Sequence, residues 1–248
     1  MNAANPLDLL LRKLETHSLL DDEDRRAILA LPYTVRNLEP HAYILREGEL
    51  PVACAVLLSG FAYRQKLTSD GGRQIVSVHI PGEALDFEHL FLDEADHNVQ
   101  MLTRGDIAVV LREELQELAR SRSGVNQAIL VSILVEAAIS REWVVNVGRR
   151  DARARLAHLL CEFAVRLEAQ GLTKDYGYQL PMTQEQLADV LGLTSVHVNR
   201  TIKSLEADGL ITRNGRSIGF PDWKAMREVA DFNQRYLHLA QQQAGRGV

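Results

Sequence analysis

The chain has 248 residues, of which 46% are hydrophobic and 25% charged, and its formal net charge is −5. This composition is typical of a globular protein with room for two domains, and no apolar run approaches the ~20 residues of a membrane-spanning helix. The charge argues against binding nucleic acid over the whole surface, although a local basic surface remains compatible with it. The N-terminus lacks the order of a signal peptide, so the expected location is the cytoplasm.

The first part of the chain predicts helices followed by a sheet. Apolar residues recur at helical spacing from about 5 to 31, with Asp21 as a candidate N-cap. From about 35 to 110, short β-branched or aromatic runs alternate with turn signals, among them the hairpin signal Gly71-Gly72. The predicted fold class is therefore α+β, with flanking helices around an N-terminal antiparallel β-roll similar to the cupin-like jelly rolls.

A long helix is predicted over about Ser123–Val147, and it would span ~40 Å at ~1.5 Å per residue. Its apolar residues do not keep to one stripe, which is typical of a helix covered on more than one side. The β-roll can cover one side and a second copy of the helix the other, while a single buried helix of one large domain is the alternative. We expect the dimer, and a glycine-containing break at 146–150. The residues predicted for the dimer helix are Ile129, Ile133, Glu136, Ser140 and Trp143.

The stretch MTQEQLADVLGLTSVHVNRTIKSLEADGLI, residues 182–211, predicts two short helices joined by a tight turn. Thr183 can cap the first helix, with Gln186 completing a capping box. Gly192 permits a sharp turn, and Thr194 can cap the second helix. Caps, turn and core spacing together indicate a helix-turn-helix. The shared core is predicted to contain Leu187, Ala188, Leu191, Val198, Ile202 and Leu205.

The sequence after the second helix predicts a β-hairpin. Residues 210–211 form a short predicted strand, Asn214-Gly215 is a type I′ turn signal, and the segment SIGF returns as the second strand. Arg213 and Arg216 then lie near the tip of this wing. The C-terminal domain is therefore predicted to be a winged helix-turn-helix.

Helical geometry leaves one face of the second helix directed outward. Arg200 is the candidate there for reading a base, because a guanidinium can pair bidentately with guanine O6 and N7. An ordinary solvated helix face is the alternative. Base readout is predicted for Ser195, Val196, Asn199 and Arg200, and contact with the DNA backbone for Thr183, Gln184, Thr194, His197, Lys203, Arg213 and Arg216.

These motifs resemble the Crp/Fnr superfamily of bacterial transcription regulators. The segments ILREGE, LLSGFAYRQK and HIPGEALDFEHLF match the turns of that family's cyclic-nucleotide-binding-like β-roll, and the helix-turn-helix is the most specific match. The resemblance implies a homodimer that binds a near-palindromic operator in double-stranded DNA and contacts RNA polymerase. The predicted domains are a sensor β-roll over 1–120, a dimerisation helix over 121–148, and a DNA-binding domain with a C-terminal helix over 149–248.

Two departures from the family pattern change the expected ligands. The segment that corresponds to the phosphate-binding cassette has Phe87 where the ribose-binding acid belongs, and the following EADHNVQ contains no arginine. A buried phosphate without a cationic partner is costly, so neither cyclic AMP nor cyclic GMP is expected and the effector stays unidentified. Many relatives have a glutamate at the position of Val196. The valine side chain offers only an apolar contact there. The degenerate effector pocket is predicted to contain Gly82, Glu83, Asp86, Phe87 and Glu88.

The sequence gives weak support to metal or enzyme chemistry. Cys54 and Cys161 lack C-x-x-C spacing, so buried thiols are expected rather than a zinc site or an iron–sulfur cluster. His79, His89 and His97 fall in the cassette region, where metal binding is the alternative to ordinary surface or hydrogen-bonded histidines. We expect no metal site and no cofactor. One alternative to a DNA-binding regulator is a cupin-type enzyme, which would need an H-x-H pair that the sequence lacks. The other alternative is a protein-docking module with a non-functional helix-turn-helix.

Overall fold

The computed structural model describes residues 5–239. They form two compact units, here called the first unit, residues up to 66 together with 77–137, and the second unit, 67–76 together with 138–237. The predicted domain ends at 1–4 and 240–248 lie outside the described residues. Across 5–239, no helix combines the length and the apolar character that crossing a bilayer requires.

Two short helices open the first unit, α1 over Asp8–Glu15 and α2 over Asp22–Leu29. Asp21 caps α2 as predicted, because its Oδ1 accepts a hydrogen bond from the Asp24 backbone N–H at 2.7 Å. The Asp24 carboxylate in turn accepts from the Asp21 N–H at 3.3 Å, which completes a capping box. The leucines of α1 and Ile28 of α2 pack against the sheet in one apolar core.

Seven strands form the β-roll, and α3 follows them. One antiparallel sheet has the order β1-β7-β3, and the other the order β2-β6-β4-β5. All the predicted strands are present, and β1 is an additional strand that its mixed polar sequence did not indicate. The bounds are β1 Thr34–Leu38, β2 Tyr43–Leu45, β3 Ala53–Leu57, β4 Ala62–Leu67, β5 Arg73–His79, β6 Asn98–Met101, β7 Gly105–Leu111 and α3 Arg112–Ser121, with a 3-10 helix over Phe87–Leu90.

Helix α4, Ser123–Arg149, is longer than the sequence predicted. It continues through the expected break, because Gly148 keeps helical geometry at an exposed position. Ile129 and Trp143, predicted for the dimer helix, are buried within the chain itself, and Ile133 packs against the core of the first unit. The exposed apolar residues of α4 are instead Leu130, Leu134, Val144, Val145 and Val147.

The second unit contains a small sheet and five helical segments besides the end of α4. Asp151 caps α5 by accepting a hydrogen bond from the Ala154 N–H at 2.8 Å. The sheet has the order β8-β10-β9. The bounds are α5 Ala152–Ala169, β8 Tyr178–Gln179, α6 Gln184–Leu191, α7 Ser195–Ala207, β9 Thr212–Asn214, β10 Ser217–Gly219 and α8 Trp223–Val229, with a 3-10 helix over Gln234–Leu237.

The wing is present, but its register differs from the prediction. Residues 210–211 are buried before the strand, and β9 begins one residue later, at Thr212. Asn214 pairs with Ser217, so the two-residue loop consists of Gly215 and Arg216. Gly215 has φ +61° while Arg216 has a negative φ, so a type I′ turn, which needs positive φ at both positions, is not formed.

A buried carboxylate lies at the centre of the second unit. Glu162 accepts hydrogen bonds from Trp143 Nε1 at 3.1 Å, Tyr236 Oη at 2.8 Å and Arg166 Nη1 at 3.2 Å. Burial raises its pKa, and the Arg166 charge opposes that shift. We call these four residues the Glu162 cluster. Its carboxylate is matched by three donors and one cation, so it joins α4, α5 and the last 3-10 helix.

Candidate nucleic-acid interface

The first helix of the predicted helix-turn-helix is fixed at both ends. Thr183 Oγ1 accepts a hydrogen bond from the Gln186 N–H at 3.2 Å, and the Gln186 side chain accepts from the Thr183 N–H at 2.9 Å. At the other end Gly192 adopts the left-handed conformation with φ +61°. Arg155 Nη1 donates to the Leu191 carbonyl at 2.6 Å and satisfies a carbonyl that the helix leaves unpaired. The predicted capping box and turn are therefore confirmed.

Helix α7 has a buried face and an exposed face. Val198, Ile202 and Leu205 are buried, as predicted for the core between α6 and α7. Val196 is 77% exposed, and Arg200 and Lys203 are also exposed. The outward residues form one open depression on this surface, lined by Gln184, Ser195, Val196, Asn199, Arg200 and Lys203.

The start of α7 offers groups that suit an anion. Thr194 Oγ1 accepts a hydrogen bond from the His197 N–H at 3.2 Å, so its hydroxyl proton remains able to donate. The first N–H groups of a helix are unpaired within it and carry partial positive charge. No ion pair engages Arg200 or Lys203 within residues 5–239. Both cations are thus available to phosphates or base edges.

The two wing arginines differ in their surroundings. Arg216 is exposed in the loop of the hairpin, whereas Arg213 Nη1 lies 3.8 Å from Glu206 Oε2. A neighbouring arginine, Arg153, donates to Ser204 Oγ at 2.7 Å and pairs with Asp208 at the end of α7. These contacts attach the end of α7 to the helix and strand beside it.

One string in the wing matches a catalytic motif by chance. Residues 215–219 read G-x-S-x-G, the pattern of a nucleophile elbow. That motif requires a serine at a sharp turn between a strand and a helix. Ser217 instead lies within β10 and pairs with Asn214 and Gln179. Ser217 therefore does not have the position that a nucleophile elbow requires.

The acids of the predicted effector pocket in the first unit are engaged by contacts within the chain. Glu83 Oε1 accepts a hydrogen bond from Lys13 Nζ at 2.8 Å, and Phe87 is buried. Asp86 Oδ1 accepts from the Ala55 N–H at 3.0 Å, and burial raises the Asp86 pKa to about 7. These acids are adjacent to the turn at Gly82, which has φ +97°. The pocket is therefore lined by acids and apolar residues.

An arginine that the sequence analysis missed lies in the same region. Arg64, on β4, donates to the Leu85 carbonyl at 2.6 Å, pairs with Glu136 of α4, and has Nη2 2.9 Å from Glu88 Oε1. It comes from a strand rather than from the cassette, so only the sheet pairing reveals its position. Two carboxylates already neutralise it, which leaves little charge for a phosphate.

The three histidines of the cassette region have different environments. His79 is within hydrogen-bonding distance of Ser77 Oγ at 3.2 Å, and His97 Nδ1 lies 2.6 Å from Asp96 Oδ1. His89 is buried, and neither of its ring nitrogens has a hydrogen bond to any residue of 5–239, which differs from the expectation of surface or hydrogen-bonded histidines. Burial lowers the pKa of His97 to about 4 and also lowers that of His89.

The second unit has the geometry of a DNA-binding domain, and the first has that of a cyclic-nucleotide-binding-like β-roll. Such a pair defines a DNA-binding regulator with a sensor-type domain. Family models agree with both parts: the Crp-like helix-turn-helix domain matches residues 154–229, and the cyclic nucleotide-binding domain matches residues 35–122.

Curated relatives cover most of the chain. It is 31% identical to the nitrogen fixation regulation protein FixK of Rhizobium meliloti, over 81% of this chain and 89% of that protein. It is 28% identical to the transcriptional activator protein FnrL of Cereibacter sphaeroides, over 79% of each. The chain belongs to the Crp/Fnr family of DNA-binding transcription regulators.

A solved structure shows the same fold. FixK2 from Bradyrhizobium japonicum matches with a TM-score of 0.74 and 24% identity, over 80% of this chain and 98% of that one. The predicted fold class, an antiparallel β-roll with flanking helices followed by a winged helix-turn-helix, is confirmed.

Proposed function

We propose that the protein binds a near-palindromic operator as a homodimer and reads each half-site with α7. The observation that carries this proposal is the outward face of α7, a helix capped at its start by Thr194. Arg200 and Lys203 lie there beside Val196 and Asn199, with no ion pair to any residue of 5–239. A rigid helix with an exposed polar face can enter the major groove. The relatives named as transcriptional activators support a role in transcription, and RNA polymerase is the expected protein partner.

Each outward residue has its own expected contact. Arg200 pairs with guanine O6 and N7, and Asn199 is available to a neighbouring base or phosphate. Val196 contacts a thymine methyl, since it has no hydrogen-bonding group. Thr183 and Thr194 donate hydroxyl protons to phosphate oxygens while their oxygens stay in the caps. The wing residue Arg216 reaches the backbone from the side.

A second copy of the chain is expected to cover the exposed apolar residues of α4. Leu134 is 65% exposed, and Leu130, Val144 and Val145 are exposed on the same helix. A row of this kind on one helix normally faces another protein surface. In a symmetric pair the same row meets itself. Binding to two half-sites one turn of DNA apart would then require the two recognition helices to lie about 34–36 Å apart. This exposed row replaces the sequence-predicted Ile129 and Trp143 as the proposed dimer contact.

The first experiment selects bound sites from random duplex DNA and measures affinity for the best site. We expect Arg200→Ala to cost about 1–3 kcal/mol and to relax the preference for guanine at one position of each half-site. Lys203→Ala should weaken binding to all DNA sequences alike and reduce the slope of log affinity against log salt by about 1. Arg120→Ala, at an exposed arginine of the first unit, is the matched control.

The outcomes separate the proposal from its rivals. A protein-docking module would have no affinity for any duplex at low salt. Equal binding by wild type and Arg200→Ala would remove that residue from base reading. A cyclic nucleotide that raises operator affinity would contradict our reading of the predicted effector pocket, in which Glu83 and Asp86 are acidic and Arg64 is already paired with two carboxylates.

The dimer is tested by sedimentation of the full chain. We expect a dimer at micromolar concentration and a monomer for Leu134→Asp, because a charge in the centre of an apolar contact is costly. Leu19→Asp is the matched control, since Leu19 is 79% exposed but lies between α1 and α2. A wild-type monomer, or a Leu134→Asp dimer, would contradict the proposed contact.

A further inference from the structure

Three side chains with metal-binding groups converge in the first unit. Glu88 and His89 are neighbours in the 3-10 helix over Phe87–Leu90, and His97 directly precedes β6. One ligand atom from each lies within 4.8 Å of the other two. His97 Nε2 is 3.6 Å from Glu88 Oε1, and the two imidazole rings are stacked with centroids 5.8 Å apart. The fold therefore brings two imidazoles and a carboxylate to one point.

The two imidazoles are buried without the partners that buried polar groups normally have. His89 is 3% exposed and His97 is 5% exposed. Neither nitrogen of His89 nor Nε2 of His97 makes a hydrogen bond among the described residues. The backbone of Leu92 raises the pKa of His89, but its contact with the ring does not have the geometry of a hydrogen bond. A buried polar group left unpaired costs about 1–3 kcal/mol, so an arrangement with three such atoms calls for an explanation.

A second carboxylate sets the tautomer of His97. An ionised carboxylate can only accept, so Asp96 Oδ1, at 2.6 Å from His97 Nδ1, requires the ring proton on Nδ1. The lone pair of Nε2 then points into the cluster. A carboxylate that holds a histidine in this way is the usual outer partner of a metal-ligating imidazole.

Charges of both signs surround the cluster. Glu136, Glu88 and Asp86 act on the guanidinium of Arg64. Arg64 and Arg112 act on His89, and Asp96 opposes them. Glu88 is shared with Arg64 and faces the two histidines, so it can ligate an ion while Arg64 stays paired with Glu136 and the Leu85 carbonyl.

We propose that Glu88, His89 and His97 bind a divalent first-row transition-metal ion, of which Zn²⁺ is the representative. Two imidazole nitrogens and one carboxylate oxygen are a common set for such ions, and the harder Mg²⁺ and Ca²⁺ prefer oxygen ligands throughout. Three protein ligands leave a further position for water or a small molecule. Ion binding satisfies the unpaired nitrogens and gives the Glu88 carboxylate a second cationic partner.

The direct test is a titration of the chelator-treated full chain with Zn²⁺ against a chromogenic indicator. We expect one ion per chain. His89→Leu should lower the affinity more than ~100-fold, because it removes a ligand, and Asp96→Asn about 10–100-fold, because it removes only the group that orients His97. His41→Asn removes an exposed histidine with φ +68° and should bind like wild type. Asparagine tolerates that backbone conformation, so this control keeps its fold.

A second measurement guards against a variant that loses Zn²⁺ because it misfolds. Co²⁺ added to the wild type should give visible d–d bands, which Glu88→Gln weakens or shifts while circular dichroism stays unchanged. Absence of stoichiometric Zn²⁺ binding overturns the proposal, and so does wild-type affinity in His89→Leu. Neither measurement uses DNA, so failure of the metal site and failure of operator binding are separate results.

Discussion

Two buried clusters of polar side chains, the histidine cluster of the first unit and the Glu162 cluster of the second, differ in how completely they are paired. In the second unit, Glu162 receives hydrogen bonds from Trp143, Tyr236 and Arg166. In the first unit, His89 has no hydrogen bond and His97 has one, to Asp96. Both clusters are buried to a similar degree, so burial alone does not distinguish them.

The difference indicates what each cluster is for. A buried carboxylate that accepts hydrogen bonds from three different side chains fixes the arrangement of the helices that supply them. A buried network with unpaired ring nitrogens gains nothing from its polar atoms until something binds them. The Glu162 cluster is therefore expected to stabilise the second unit, and the histidine cluster to lower the stability of the first unit when no ion is present.

The largest expected effect is in the Glu162 cluster. Glu162→Leu removes the carboxylate that pairs with the buried Arg166 cation, and we expect it to lower the free energy of unfolding by about 3–5 kcal/mol. Both tryptophans, Trp143 and Trp223, lie in the second unit, so urea unfolding followed by tryptophan fluorescence reports on it.

The double variant Glu162→Leu with Arg166→Met is the control, because it removes both charges. It should recover most of the lost stability, since replacing a buried pair by apolar residues of similar size is often neutral. A loss under about 1 kcal/mol in the single variant would show that the cluster contributes little to stability.

The next largest effect is a pH dependence in the same unit. Burial and the charge of Arg150 lower the pKa of His158 to about 3, although Glu142 Oε1 lies 3.3 Å from its Nε2. The unfolded chain takes up this proton near pH 6.5 and the folded one only near pH 3, so stability is lost as pH falls through that window. Relative to His158→Phe, the wild type should lose about 2 kcal/mol between pH 7 and pH 5.

The phenylalanine keeps an aromatic ring against Phe232 and Tyr236, which makes His158→Phe a matched variant. Other titrating groups are common to both proteins and cancel in the difference. Parallel curves of stability against pH for the two proteins would mean that His158 titrates alike in the folded and unfolded chains.

The helix-turn-helix could be predicted from the sequence because its determinants are local. Thr183, Gln186 and Gly192 act within a few residues of their own positions, so spacing alone is sufficient. The same holds for the glycine turns of the β-roll. The predicted register of the wing was wrong by one residue. The pairing of β10 with β8 fixes this register, and the Asn214-Gly215 signal carries no information about β8.

The two polar clusters could not be predicted in full, because the contacts that complete them depend on tertiary packing. Arg64 meets Glu88 through the pairing of strands, and Trp143 meets Glu162 through the packing of α4 on α5. His89 and His97 were visible as neighbours in sequence, but their shared burial was not. The burial of Ile129 could not be predicted for a similar reason. A helix that is apolar all round does not reveal which of its sides packs against the core of the same chain.

A smaller effect is expected at a partly buried hydrogen bond. Thr183→Ala removes the acceptor for the Gln186 N–H, and we expect it to cost about 1 kcal/mol in the second unit, measured by tryptophan fluorescence. Water can replace part of this bond, which is why the loss is smaller than in the buried Glu162 cluster. Thr183→Ser keeps the oxygen and should restore stability; a full loss in both variants would assign the effect to the threonine methyl instead.

The smallest effect is the most direct test of the difference between the two clusters, because its sign depends on whether an ion is bound. Without metal, His89→Leu removes two unpaired nitrogens from a buried site, so the first unit should be unchanged or more stable by up to about 1 kcal/mol. Excess Zn²⁺ stabilises the wild type by mass action and leaves His89→Leu unaffected, which reverses the order. Hydrogen-exchange protection of the β6 amides, at Asn98–Met101 beside the cluster, measures both conditions. If His89→Leu is strongly destabilising in chelator, His89 belongs to the satisfied core, and the two clusters do not differ as described.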